Sequence, residues 1–192
     1  MSKVISVNAG SSSLKFKLYE MPEETVIAAG IYERIGLDEG IFKIEYKNGK
    51  KQRETLPFKD HSVAVSHLIE KLISLGIIGS LEEISGVGHR VVQGGKYFSK
   101  SVEFNNESEK VIESLICLAP IHNGANLIGY RAFKEILPNV YQSATFDTAF
   151  HQTMEPQDYV YPIPYFLTTN YDIRRYGFHG TSHRYVSEVA IE

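Results

Sequence analysis

The first sixty residues alternate apolar and polar side chains with a period of two, and no other feature constrains the fold of this chain so tightly. That period belongs to β-strands, whose successive side chains point to opposite faces of a sheet. Leu14, Phe16 and Leu18 alternate with Lys15, Lys17 and Tyr19. Upstream, Lys3, Ile5 and Val7 alternate with Val4, Ser6 and Asn8, which predicts a strand ending at Asn8. The stretch Ala9 to Ser13 is then the connection of a hairpin. Further strands are predicted over 26–35, 41–47 and 51–58, with Asn48-Gly49 supplying the positive φ angles of a tight turn. The basic run K-N-G-K-K-Q-R at 47–53 reads as a solvated hairpin end.

Helical periodicity begins after Asp60. Ser62 can cap a helix whose apolar set Val65, Leu68, Ile69, Leu72 and Ile73 follows i, i+3, i+4 spacing, and Gly76 ends it. A strand is predicted over 84–92, helices over 106–118 and 123–137, and a strand from Val140 to Phe146 that delivers Asp147. Strands, then helix, strand, helices and strand make a mixed α/β order. After residue 150 the periodicity fades. Six of the twelve tyrosines fall between Tyr159 and Tyr185, and three of the seven prolines stand at 156, 162 and 164. This segment reads as a connection packed against something larger. A last helix starts near Thr181-Ser182 and meets no stop signal, which is the pattern of a chain that continues.

A net charge of −3 leaves no basic field to draw in nucleic acid or an anionic membrane. No stretch approaches the ~18 apolar residues of a membrane span, and the N-terminus lacks a signal-peptide core, so a cytoplasmic setting is expected. The single cysteine, Cys117, cannot make an internal disulfide, and its apolar neighbours predict a small core residue.

Five stretches carry side chains with chemical potential. A-G-S-S-S-L-K, around Ser11, Ser13 and Lys15, is not a Walker loop; it is either a phosphate cradle of hydroxyls and an ammonium, or a serine-rich turn. G-H-R-V-V-Q-G-G brings Arg90 to a strand end, where its fork can clamp a carboxylate or phosphate or form a structural ion pair. A-P-I-H-N-G places His122 and Asn123 where a helix begins, to cap it or to face a ligand, with capping the preferred role of Asn123. T-F-D-T-A-F-H puts the Asp147 carboxylate at the carboxyl end of a strand, where α/β proteins gather ligand groups. In R-R-Y-G-F-H-G-T-S-H, His179 and His183 are four apart. A zinc pair is rejected because His179 precedes the helix, where it is better placed to meet an anion.

Taken in order, N-A-G-S-S-S-L-K, H-R-V-V-x-G-G, A-P-I-H-N, F-D-T-A-F-H and R-R-Y-G-F-H-G-T-S-H resemble the segments of the acetokinase (acetate kinase) family. The resemblance runs from residue 4 to about 186. It implies an α/β fold of the ribonuclease-H-like type found in the actin, sugar kinase and Hsp70 superfamily, a mixed sheet flanked by helices. Residues 1–149 would be one such domain and 150–192 the connection and first elements of a second. Family members are about twice as long, so the chain would be an N-terminal half, inactive alone.

The implied reaction is reversible transfer of the ATP γ-phosphoryl group to acetate, with Mg²⁺ or Mn²⁺. Asn8 would touch the phosphate and metal region, with Ser11, Ser13 and Lys15 beside it. Arg90 would hold the acetate carboxylate and then the migrating phosphoryl, and Asp147 would position the metal. His179 would stabilise the oxygens in transit, and His122 would line the same cleft. Val92, Ile121 and Phe178 would receive the acetate methyl. The resemblance also implies small-molecule partners, acetate and ATP, and a homodimer of the intact protein. Two positions depart from the family pattern, Gln93 where His is frequent and Gly124 where Pro is frequent. Propionate kinase and a catalytically silent phosphate-binding module are the alternatives.

Overall fold

Eight strands form one mixed sheet in a computed structural model that describes residues 2–47 and 49–191. The strands are β1 (Ser2–Gly10), β2 (Ser13–Met21), β3 (Thr25–Glu33), β4 (Gly40–Tyr46), β5 (Lys50–Leu56), β6 (Ile84–Val91), β7 (Val102–Glu103) and β8 (Tyr141–Phe146). The longer helices are α1 (His61–Ser74), α2 (Asn106–Ser114) and α3 (Asn123–Ile136). Short helices α4 (Pro156–Tyr159) and α5 (Tyr165–Tyr171) precede α6 (Gly180–Ile191).

Across the sheet the order is β5-β4-β3-β2-β1-β6-β8-β7. The first five strands are an antiparallel meander, while β1, β6 and β8 run parallel. Parallel neighbours need long crossovers, and α1, α2 and α3 lie in those connections. The alternation read from the sequence sets which face is covered. Ile5 and Val7 of β1 and Leu14, Phe16 and Leu18 of β2 turn inward beneath Val65, Leu68 and Leu72 of α1 and Phe133 of α3. Lys15 and Lys17 stay on the open face. A second cluster, with Val91, Phe104, Leu127, Tyr130 and Phe146, fills the space between α2, α3 and the far half of the sheet.

Several local expectations are corrected. Helix α1 is capped by Asp60, whose carboxylate accepts the Val63 N–H at 2.9 Å, and Ser62 is already inside the helix. Strand β1 runs past Asn8 to Gly10, because Ala9 pairs with Leu14 and Gly10 with Ser13; only Ser11 and Ser12 are left as the loop. The helix predicted over 106–118 is α-helical to Ser114 and tightens to a 3₁₀ turn over Leu115–Leu118. That tightening gives the core position to Leu115 and leaves Cys117 exposed, so the cysteine is not a core residue. Asn123 does not cap α3; it is the first helical residue and fully buried. Helix α6 begins at Gly180, just ahead of Thr181-Ser182. Gly76 ends α1 with φ +61°, as expected. Gly49 has φ +89°, while its turn partner Asn48 lies outside the described residues.

Candidate functional site

The carboxyl ends of β1, β6 and β8 fall together. Arg90 pairs with Thr145 and Val91 with Phe146, while Val7 pairs with His89, so the three strands stop at nearly one level. The crevice beyond the carboxyl ends of parallel strands is where α/β sheets bind ligands. Here it is a cavity of about 470 Å³. Asn8, Arg90, Asp147, His122 and His179 line it, and Val92, Ile121 and Phe178 form part of its apolar wall. Eight of the eleven residues singled out from sequence therefore share one cavity.

Its charged centre is an ion pair. The Arg90 guanidinium donates from Nε to Asp147 Oδ1 at 2.9 Å and from Nη2 to Oδ2 at 2.5 Å. Asp147 is 1% exposed, whereas a third of the Arg90 side chain faces solvent. The hydrogen-bonded carboxylate raises the guanidinium above its usual pKa, against the opposing pull of burial. This fork-to-carboxylate pairing fixes the plane of Arg90. Among the described residues Nη1 makes no hydrogen bond, so one edge of the fork remains for an incoming anion.

His179 approaches the same carboxylate, with Nδ1 4.0 Å from Oδ2. Its backbone is left-handed, φ +53°, a conformation that costs a non-glycine residue strain and marks a position held by its surroundings. What holds it is the start of α6: the Gly180 N–H donates to the Asp147 carbonyl at 2.8 Å. A Cβ at Gly180 would stand 2.3 Å from that oxygen, so only glycine allows the approach. On the preceding side, His151 Nε2 donates to the Phe178 carbonyl at 3.1 Å. His122 sits exposed at the N-cap position of α3 without capping it. The Asn8 side chain makes no hydrogen bond among the described residues.

Ser11, Ser13 and Lys15 lie outside this cavity. Ser11 is at the exposed tip of the β1–β2 hairpin, and Ser13 is half-buried beside it. Lys15 is directly across the ladder from Asn8 and lines a broader groove of about 1180 Å³ on the open sheet face, which Asn8, Thr181 and Ser182 also border. His179 precedes α6 and His183 lies within it, so the two share no helical face.

Four buried polar residues brace the crevice: the sequence singles out Asn123 as a cap and Gln93 as a departure from the family pattern, and passes over Asn126 and Thr148. Asn126 Oδ1 accepts the Val92 N–H at 3.1 Å, and its Nδ2 donates to the Ala9 carbonyl at 2.8 Å. Asn123 accepts from the Gln93 N–H at 3.0 Å and donates to the Gln93 carbonyl at 2.9 Å. Gln93 Oε1 accepts the Gly95 N–H, and Thr148 Oγ1 accepts the Gly94 N–H. A signal was available. Asn123 and Asn126 are three apart on a helix, where the core-facing stripe asks for apolar side chains.

A model described as "Acetokinase family" matches residues 3–192. The chain belongs to the acetokinase family. It is 56% identical over all 192 residues to acetate kinases of Anoxybacillus flavithermus and Bacillus subtilis, covering 48% of each. Among solved structures it is similar to Porphyromonas gingivalis acetate kinase, at 46% identity and a TM-score of 0.93, covering 99% of this chain and 48% of that one. A propionate kinase from Francisella tularensis is similar at 41% identity and a TM-score of 0.93, with the same coverage. The chain thus spans about half the length of the curated relatives it matches. The fold is the α/β architecture of the actin, sugar kinase and Hsp70 group that the acetokinase resemblance implied.

Proposed function

We propose that the complete protein transfers the γ-phosphoryl group of ATP to acetate, reversibly, giving acetyl phosphate and ADP. The observation that carries this reading is the cavity itself, where an arginine fork and two histidines face an apolar wall of Val92, Ile121 and Phe178 across about 470 Å³. A short acid needs that combination: a cation for its carboxylate and a dry patch for its methyl. In the forward direction a carboxylate oxygen attacks the γ-phosphorus while the bond to the ADP oxygen breaks. Acetate is already an anion, so no base is required. Positioning and charge are what such a transfer asks of a protein. Arg90, held flat by Asp147, turns Nη1 to the acid and then to the phosphoryl oxygens. His179 and His122 donate to those oxygens in transit. Asn8, Ser11, Ser13 and Lys15 lie on the side from which the nucleotide phosphates enter.

The family resemblance brings a divalent cation with the nucleotide. Both Asp147 oxygens are engaged by Arg90, and no three-ligand cluster exists among the described residues. An ion that arrives with nucleotide phosphates needs only one or two protein oxygens, and Asp147 and Asn8, which both line the cavity, are the residues that would hold it. In the same reading residues 1–149 are one ribonuclease-H-like unit, 150–192 lead into a second, and the complete protein is a cytoplasmic homodimer.

The test is to incubate the complete gene product with ATP, Mg²⁺, acetate and hydroxylamine and to measure acetyl hydroxamate. Product is expected, and Arg90→Ala should lower the rate by about a hundredfold to a thousandfold. No product from a folded protein overturns the kinase reading in favour of a silent phosphate-binding module. Likeness to a propionate kinase supports a second acceptor. One further methylene in an apolar pocket changes kcat/KM by about tenfold to two-hundredfold, so the ratio for acetate and propionate decides between them.

A further inference from the structure

We infer that Asn126 is a positioning residue of the acid-binding wall: its amide locks the carboxyl ends of β1 and β6 at the spacing that brings Asn8, Arg90 and Val92 to one cavity. The inference rests on the acyl-kinase reading and adds a residue to it.

Asn126 is 3% exposed and points from α3 into the gap between two strand ends. One backbone group that it meets is an acceptor, the Ala9 carbonyl, and the other a donor, the Val92 N–H. Satisfying both at once takes a side chain with an N–H₂ and a carbonyl on one short stem, which is a primary amide. Asn126 therefore bonds the residue immediately after Asn8 to the second residue after Arg90. It also closes a gap that the sheet leaves open. The last described β1–β6 pair is Val7 with His89, so beyond that point no ladder bond ties the strands.

The surroundings leave the amide little slack. A Cβ at Gly129, one turn further along α3, would come within 2.5 Å of the Ala9 Cβ, so helix and strand are already in close contact there. Three residues before Asn126, Asn123 grips both backbone groups of Gln93. Helix α3 thus holds three points of the crevice backbone, Ala9, Val92 and Gln93, through two amides. Val92 takes its place in the apolar wall from this grip. Loosening it frees Val92, which lies beyond the last β6 ladder pairs, before it displaces Ala9, which the β1–β2 ladder still holds opposite Leu14, so the acid pocket moves before the nucleotide side.

The test uses the complete protein and two variants. Asn126→Leu keeps the volume and removes both bonds; Asn126→Ala removes them without adding branched bulk, should leucine prevent folding. Ile69→Val, on the core face of α1 and away from the cavity, controls for general destabilisation. A displacement of about 1 Å costs on the order of a hundredfold in rate. The expected result is a fall of about tenfold to a hundredfold in kcat/KM for acetate, carried mainly by acetate KM. ATP KM should stay within about twofold, and the acetate-to-propionate ratio should shift. Ile69→Val should move none of these at the same fraction folded. If the Asn126 variants lose activity only in proportion to folded protein, with acetate KM and acid preference unchanged, the inference is overturned and the kinase reading stands. If the unmodified protein forms no acyl phosphate, both fall together.

Discussion

His89 stands beside Arg90 in sequence and on the opposite face of β6. Arg90 reaches the cavity; His89 is 3% exposed, with Nε2 2.7 Å from Gln142 Oε1 and the rings of Phe104, Tyr130 and Phe133 edge-on around it. Burial pushes its pKa down to about 4, against a smaller upward pull from Gln142. The unfolded chain, titrating near 6.5, binds the proton more readily than the folded one between those values. Stability from this residue is therefore complete above pH 6.5 and is lost as pH falls towards 4. The loss between pH 7.5 and 5 is expected to be roughly 2 kcal/mol. Urea unfolding of the wild type and His89→Gln at the two pH values measures it. Glutamine can still bond Gln142 but cannot take the proton, so its pH dependence should be shallower by that amount. Parallel pH profiles would show that His89 is not the source.

Where β8 hands over to α6, two elements meet without side chains between them. Gly180→Ala would set a methyl against the Asp147 carbonyl at 2.3 Å and the Phe150 Cβ at 2.9 Å. The helix start must then back away, taking His179 with it. A cost of about 1–3 kcal/mol in stability is expected from such overpacking. A more than tenfold loss of hydroxamate formation by the complete protein is expected with it. Unfolding and activity measured on the same preparation check both, and an alanine variant of wild-type stability and rate would show that the junction has slack. The glycine before Thr181-Ser182 was visible in the sequence, but its reason was not, because the oxygen it avoids belongs to a residue more than thirty positions away. The same division runs through the fold. Strand β2 and helix α1 were legible because Leu14, Phe16 and Leu18, or Leu68 and Leu72, declare their own period. The end of β1 was not, since pairing with Leu14 rather than local propensity extends it to Gly10. Asp60 displaced Ser62 as the cap because its carboxylate is the group that reaches the Val63 N–H. In the site, Arg90 and Asp147 showed as charges at strand ends. Asn126 did not, because its partners are 117 and 34 residues distant in the chain.

Across the whole molecule, burial is unevenly spread. Every buried apolar side chain among the described residues lies between Ile5 and Phe146. From residue 150 to 191 only Thr168 and Gly180 are buried, while Tyr185, Val186 and Val189 of α6 are exposed. Apolar burial is the main favourable term in folding, at about 25 cal/mol per Å², and a segment that buries little has little to offset its chain entropy. Helix α6 has twelve residues, and isolated helices of that length are marginal in water. Its tie to the sheet runs through the Gly180 N–H and the neighbouring turn at Ala149–Thr153. Two levels of protection should therefore appear in amide hydrogen exchange of the 192-residue chain. Amides of β1, β6 and β8 should exchange only through global unfolding, whereas those of Tyr185 to Val189 should exchange through openings costing about 1 kcal/mol or less. Lowering stability with urea should accelerate the first group and leave the second unchanged. If the α6 amides instead share the protection and urea dependence of Ile5 and Val87, the last forty residues belong to the same cooperative unit as the sheet, and the boundary proposed near residue 149 is wrong.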